Sequence, residues 1–189
     1  MAPLKLKRLP LEVCLFLYLF SNLIFQVLVF DCGEQNIIPA TGDYMIKIKA
    51  ARKLFTKEIN ILEPTYYINI SKCYNAETNI YNQVIINEPL IKNYTSEELA
   101  AILGHEIGHI KVWRERIEVN DHSDIDAIGA SLTSKDMLAK ALKRTLKEND
   151  RNFKEYGLIT YIFPLSIILN NDYRNDLMLR IHKIERLKN

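Results

Sequence analysis

The chain has 189 residues, 48% of them hydrophobic and 25% charged, with three cysteines and a formal net charge of +2. That length suffices to bury the core of one ordinary domain, and the composition excludes wholesale disorder, collagen and coiled-coil arrays. Lys5, Lys7 and Arg8 against Glu12 account for the whole positive excess, so the remainder is charge-balanced, which argues against a nucleic-acid binder held by clustered Lys and Arg.

Leu11–Phe30 carries a single charge, Glu12, at its start. At about 1.5 Å per helical residue such a run spans roughly 30 Å, the thickness of a hydrocarbon core. Basic residues precede it, while Asp31 and Glu34 follow. The expectation is therefore a single-pass membrane anchor with a cytoplasmic N-terminus and the body across the membrane. A cleaved signal peptide would have a shorter apolar region and a small-x-small site, which is absent after Phe30. Ser21, Asn22 and Gln26 leave room for a packed core or interfacial helix instead. Cys14, Cys32 and Cys73 form no CxxC pattern and are too few for a disulfide framework.

Further along, Met45, Ile48, Leu54, Ile59 and Leu62 alternate with basic residues as in an amphipathic helix over Asp43–Leu62, stopped by Pro64. Tyr66–Ile70 and Ile80–Ile86 are short, β-branched and aromatic, and read as two strands of a small antiparallel sheet. Thr95-Ser96-Glu97-Glu98 has the form of a capping box opening a helix to about Glu115. After the break at Asn120-Asp121, a second helix is predicted over Ser123–Lys147. Tyr156–Leu169, interrupted by Pro164, is short for a membrane span and reads as a buried helix. Leu177, Ile181, Ile184 and Leu187 recur at helical spacing in the tail. The predicted fold class is mainly α with a small antiparallel sheet (α+β), behind an N-terminal membrane helix.

The chemistry concentrates at His105-Glu106-Ile107-Gly108-His109, an HExxH in the middle of the best helix. Residues four apart share a helix face, so His105 and His109 can present imidazoles to one cation, with Glu106 beside them to move a proton. Burying two histidines and a glutamate with no ligand would leave unmet polar groups. A catalytic zinc site needs a third protein ligand. His122 is the natural choice, with Asp121, Asp124 and Glu118 as alternatives. Asp126, one turn beyond His122, is placed to accept the free N–H of a liganding histidine. Capping of a helix N-terminus would also account for Asp121, His122 and Asp124.

Asn75-Ala76 and the run from Val84 to Ile110, VIINEPLIKNYTSEELAAILGHEIGHI, resemble the gluzincin metallopeptidases of the HtpX and CaaX-prenyl-protease type. The likeness covers about residues 40–150 and is most specific at 97–109. It implies a minimal zincin-like metallopeptidase domain over 31–189, behind a basic flank and anchor at 1–30. In the family the next helix carries an E-x-x-x-D pair, the Glu as third ligand. Here His122 occupies the Glu position, giving HxxxD and a three-histidine site. The family's His-Pro element before the terminal helix is missing, and Arg180 is the candidate match for its Arg, without its role being carried across. The resemblance implies a membrane-anchored zinc endopeptidase that binds one Zn2+ and acts on a protein or peptide substrate. Glu106 would be general base, and the strand carrying Val84, Ile85 and Ile86 would hold an extended substrate by edge pairing. Tyr173, Arg174, Arg180 and His182 are candidate donors to a developing oxyanion. The alternatives are a soluble metallopeptidase of the phage or toxin–antitoxin kind, and a non-catalytic metal-binding interaction module on the same fold.

Overall fold

The computed structural model describes residues 15, 16 and 18, 36–57, 62–155 and 164–187. In chain order the elements are β1 (Ile37–Pro39), α1 (Gly42–Arg52), β2 (Thr65–Asn69), β3 (Ala76–Asn79), β4 (Gln83–Asn87), α2 (Glu88–Asn93), α3 (Ser96–Glu115), α4 (His122–Leu132), α5 (Lys135–Glu155) and α6 (Pro164–Arg186). The architecture is mainly α with one four-stranded sheet.

The sheet runs β1-β2-β4-β3 and is mixed, not antiparallel as expected. β1 lies antiparallel to β2, β2 parallel to β4, and β3 antiparallel to β4. The difference comes from Ala76–Asn79, whose polar composition reads as a turn but which forms an edge strand. That strand reverses the chain, the hairpin turns through Asn82 at φ 61°, and Gln83–Asn87 therefore returns parallel to β2. Asn tolerates the left-handed conformation because its short polar side chain bonds locally. In β4, Val84, Ile85 and Ile86 are all buried, as befits a central strand covered on both faces.

Helix α1 stops at Arg52, well short of the expected Leu62. Leu54 and Phe55 donate to the carbonyls of Ala51 and Arg52 in tightening turns, and Thr56 N–H then bonds the Leu132 carbonyl at 2.9 Å. The chain is thereby drawn across to the end of α4. The expected helix over Ser123–Lys147 is likewise two helices. Thr133 leaves the helical region at φ −123°, ψ −97°, and Ser134 Oγ accepts from Met137 N–H at 3.1 Å to start α5. Hydroxyl side chains compete with the helical ladder in this way. Most of Tyr156–Leu169 lies outside the described residues or its side chains do. Helix α6 starts at Pro164, a residue preorganised for a first turn. Leu177, Ile181 and Ile184 bury as their spacing predicts.

Helix α3 is the centre of the molecule, with every residue from Glu98 to Gly108 buried. The capping box forms in full: Glu98 N–H donates to Thr95 Oγ1 at 3.2 Å and Thr95 N–H to Glu98 Oε2 at 2.9 Å. Glu98 is also gripped by Arg144 of α5 at 2.6 Å. Against α3, α4 packs at backbone range. A Cβ on Gly129 would stand 2.9 Å from His105 N, one on Gly104 would stand 3.1 Å from Gly129 O, and one on Gly108 would stand 3.2 Å from Ile125 O.

The membrane anchor expected over Leu11–Phe30 is corrected. Among the described residues no helix is long and apolar enough to cross a membrane. Apart from Leu15, Phe16 and Tyr18 the segment lies outside the described residues. The single-pass topology and the membrane as a partner go with it. Cys73, between β2 and β3, is disulfide-bonded; Cys14 and Cys32 lie outside the described residues.

The helix crossing generates a prediction. Gly129→Ala must push α4 off the α3 backbone and is expected to destabilise the protein by about 1–3 kcal/mol, the usual cost of overpacking. Urea unfolding checks this, and an unchanged midpoint would mean that the two helices can separate freely.

Candidate metal centre

Three histidines from two helices converge. His105 and His109 stand one turn apart on α3, and His122 is the first residue of α4. One nitrogen from each lies within 4.8 Å of the others, a group that could hold a metal ion. The ring centroids are 4.8 Å apart for His105–His109, 5.5 Å for His109–His122 and 6.0 Å for His105–His122. Nε2 of His105 and Nε2 of His109 face each other at 3.2 Å. Burial, with the nearby charges of His105, His122 and Arg180, pulls the pKa of His109 down to about 4 despite the opposing pull of Asp126. Its ring is neutral at physiological pH, with a lone pair to offer.

His122 is set in place by its neighbours. Asp121 is the N-cap of α4 and accepts from Ser123 N–H at 2.7 Å. Lys183 of α6 reaches both Asp121, at 2.7 Å, and Ser123 Oγ, at 3.0 Å. Bonds from Lys183 and Ser123 hold the Asp121 carboxyl well below the usual carboxylate range. Asp124 accepts from the Asn120 backbone at 2.7 Å. Both acids are thus occupied at the helix start, and the metal-competent group among the described residues is the three histidines.

Asp126, fully buried, faces two ways. His105 Nδ1 lies 2.8 Å from its Oδ1, a close polar approach though outside regular hydrogen-bond geometry. Arg180 of α6 grips it with two bonds, Nε to Oδ2 at 2.7 Å and Nη2 to Oδ1 at 2.8 Å. Burial alone would raise the Asp126 pKa, but the bonds from Arg180 and the close approach of His105 outweigh it and bring the value to about 2. For Arg180 the same pairing overcomes the burial that disfavours its charge.

A cavity of about 420 Å³ opens over the histidines. Ile102, His105, Glu106, His109 and Trp113 form its floor along one stripe of α3, and Asn75–Thr78 form one wall. Glu106 is 5% exposed, and its Oε2 accepts from Thr78 Oγ1 at 2.8 Å. The strand carrying Val84, Ile85 and Ile86 was expected to offer a free edge, but β4 is paired on both sides. The edge beside the site is β3. Among the four candidate oxyanion donors, Tyr173 and Arg180 line the cavity. Arg174 is instead paired with Asp150 at 3.3 Å, and His182 sits at an exposed position of α6. Thr78 was not singled out from sequence, because one threonine in a polar run carries no periodic or motif signal.

Residues 47–175 match the model of Peptidase family M48. No curated protein and no solved structure matches the chain.

The buried pair yields a pH-dependent prediction for the metal-free protein. Because the Asp126 pKa is lowered from an ordinary 3.8 to about 2, its contribution to stability is complete above about pH 4 and is lost as the pH falls towards 2. Asp126→Asn leaves Arg180 as a buried charge without its partner and is expected to cost about 3–5 kcal/mol at neutral pH. Urea unfolding of wild type and variant at pH 7, 4 and 2 checks both; the gap between them narrows only below pH 4. A constant gap down to pH 2 contradicts the lowered pKa.

Proposed function

Since the chain belongs to peptidase family M48, we propose that it is a zinc-dependent endopeptidase, with His105, His109 and His122 holding one ion and Glu106 acting as general base. The reading is carried by the convergence of three imidazoles within 4.8 Å in the cavity that Glu106 and β3 share. It invokes no membrane anchor.

The donor set fits zinc: three imidazoles with room left for water and substrate. A zinc ion bound there supplies Lewis acidity, bringing the pKa of a water towards neutrality and polarising a scissile carbonyl. The protein does the rest. Asp126 turns the His105 ring so that Nε2 faces His109, since the carboxylate draws the ring proton to Nδ1. Glu106 takes a proton from the attacking water and delivers it to the departing amine. The outer side of β3, the end of the sheet among the described residues, accepts an extended peptide main chain to main chain, alongside the α3 stripe.

Tyr173 is the better oxyanion donor of the two that line the cavity. Asn149 Nδ2 donates to its oxygen at 3.3 Å, which leaves the phenol proton to give. Arg180 has already committed Nε and Nη2 to Asp126.

Zinc analysis and hydrolysis of fluorescein-labelled casein test the reading. His105→Ala, His109→Ala and His122→Ala are each expected to lose zinc and activity. Glu106→Gln is expected to keep zinc while kcat falls by about 10²–10⁴-fold, the range for removal of a positioned base. Tyr173→Phe should also keep zinc and lose kcat. Full zinc retention by His122→Ala would remove it from the ligand set, and full activity in Glu106→Gln would exclude it as the base.

A further inference from the structure

We infer that Thr78, on edge strand β3, is a positioning residue that fixes the carboxylate of Glu106 from across the strand–helix interface. The inference deepens the proposed function and rests on Glu106 as the base.

The geometry is specific. Thr78 Oγ1 lies 2.8 Å from Glu106 Oε2 and 3.3 Å from the Glu106 backbone carbonyl. A hydroxyl has one proton, and the charged acceptor at the shorter distance receives it. A glutamate side chain has three rotatable bonds. Its backbone is already held by the buried middle of α3, so the bond to Thr78 restrains the far end of the side chain. The two carboxylate oxygens cease to be equivalent: Oε2 carries the hydrogen bond, and Oε1 is the oxygen left to accept a proton.

The tether also has a direction. Thr78 stands opposite Val84 in the β3–β4 register, so its backbone belongs to the strand along which an extended substrate would lie. Glu106 is thereby referenced to the same strand as the peptide, and not solely to its own helix. A β-branched residue is apt for this task because its χ1 is stiff, and the methyl group holds the hydroxyl in one direction. Valine copies the shape without the proton. Serine keeps the proton and loses the methyl.

The test compares zinc-loaded wild type, Thr78→Val, Thr78→Ser and Glu106→Gln, using fluorescein-casein hydrolysis, zinc content, thermal unfolding and crystal structures. For Thr78→Val we expect kcat to fall by about 10–100-fold, the scale of a misplaced catalytic group, with KM within about twofold and zinc content and melting temperature as in wild type. Thr78→Ser should recover most of the lost kcat. In the crystal the Glu106 carboxylate should keep one position in wild type and Thr78→Ser, and shift or split in Thr78→Val. Wild-type kcat in Thr78→Val beside an inactive Glu106→Gln overturns the positioning role and leaves the base assignment standing. Wild-type activity in Glu106→Gln overturns the base assignment itself. A carboxylate unmoved in Thr78→Val overturns the tether whether or not casein is cleaved, and a loss of kcat accompanied by loss of zinc or melting temperature assigns Thr78 a merely structural role.

Discussion

Everything at the candidate metal centre depends on how closely α4 approaches α3. Gly104 and Gly108 on one helix and Gly129 on the other remove the side chains that would hold the backbones apart, and at Gly129 even a methyl would meet the His105 backbone. Close packing through small residues is worth little as buried area, but it fixes a distance. With the helices at that range, a side chain as short as Asp126 reaches His105, and the first residue of α4 brings its imidazole beside the pair on α3. A wider crossing would leave three histidines on two helices with no common point between them.

The second constraint is electrostatic and comes from the far end of the chain. Asp126 is fully buried, and a buried carboxylate without a partner is strongly disfavoured. Arg180 supplies that partner with two parallel bonds, and Lys183, three residues on along α6, holds the cap of α4 through Asp121. One helix thus secures both Asp126 and the start of α4, where His122 stands. The fold stores its precision in contacts between helices remote in sequence, which is how α3, α4 and α6 with one sheet edge build the site.

How much of this was legible in the sequence follows from the range of each interaction. Local devices were readable: the capping box at Thr95 and Glu98, the one-turn spacing of His105 and His109, and the apolar repeat of the terminal helix are written within a few residues of one another. The shared face of His122 and Asp126 was also local, and both side chains do turn towards α3. Sheet order was not readable, because Ala76–Asn79 is a strand only by virtue of its pairing with β4, and its composition argues for a turn. The split between α4 and α5 was hidden because Thr133 and Ser134 sit inside a run whose apolar period continues across them. The glycines signalled little alone, since their meaning lies in a partner backbone on another helix. The reading of Leu11–Phe30 as an anchor used hydropathy, length and the flanking sequence, and no described helix supports it.

The charge balance of the cavity gives the arrangement its chemical sense. Asp126 is neutralised by Arg180 at 2.7 Å, so it directs the His105 ring without adding net negative charge beside the imidazoles. The three histidines add none either while neutral, and His109 is held neutral by its surroundings. Among the acids lining the cavity, Glu106 is the one set on the α3 stripe between the two histidines, with Glu77 on β3 and Asp176 on α6. A cation placed among the three rings would therefore keep most of its charge, with the carboxylate that Thr78 holds lining the same cavity. In the proposed reading, positive charge concentrated at one point with a tethered base beside it would favour deprotonation of water in a small cavity. With His122 in the cluster and no carboxylate among its three members, attraction for a cation would be weaker, which would throw the burden of holding it onto geometry, and so back onto the close crossing of the two helices.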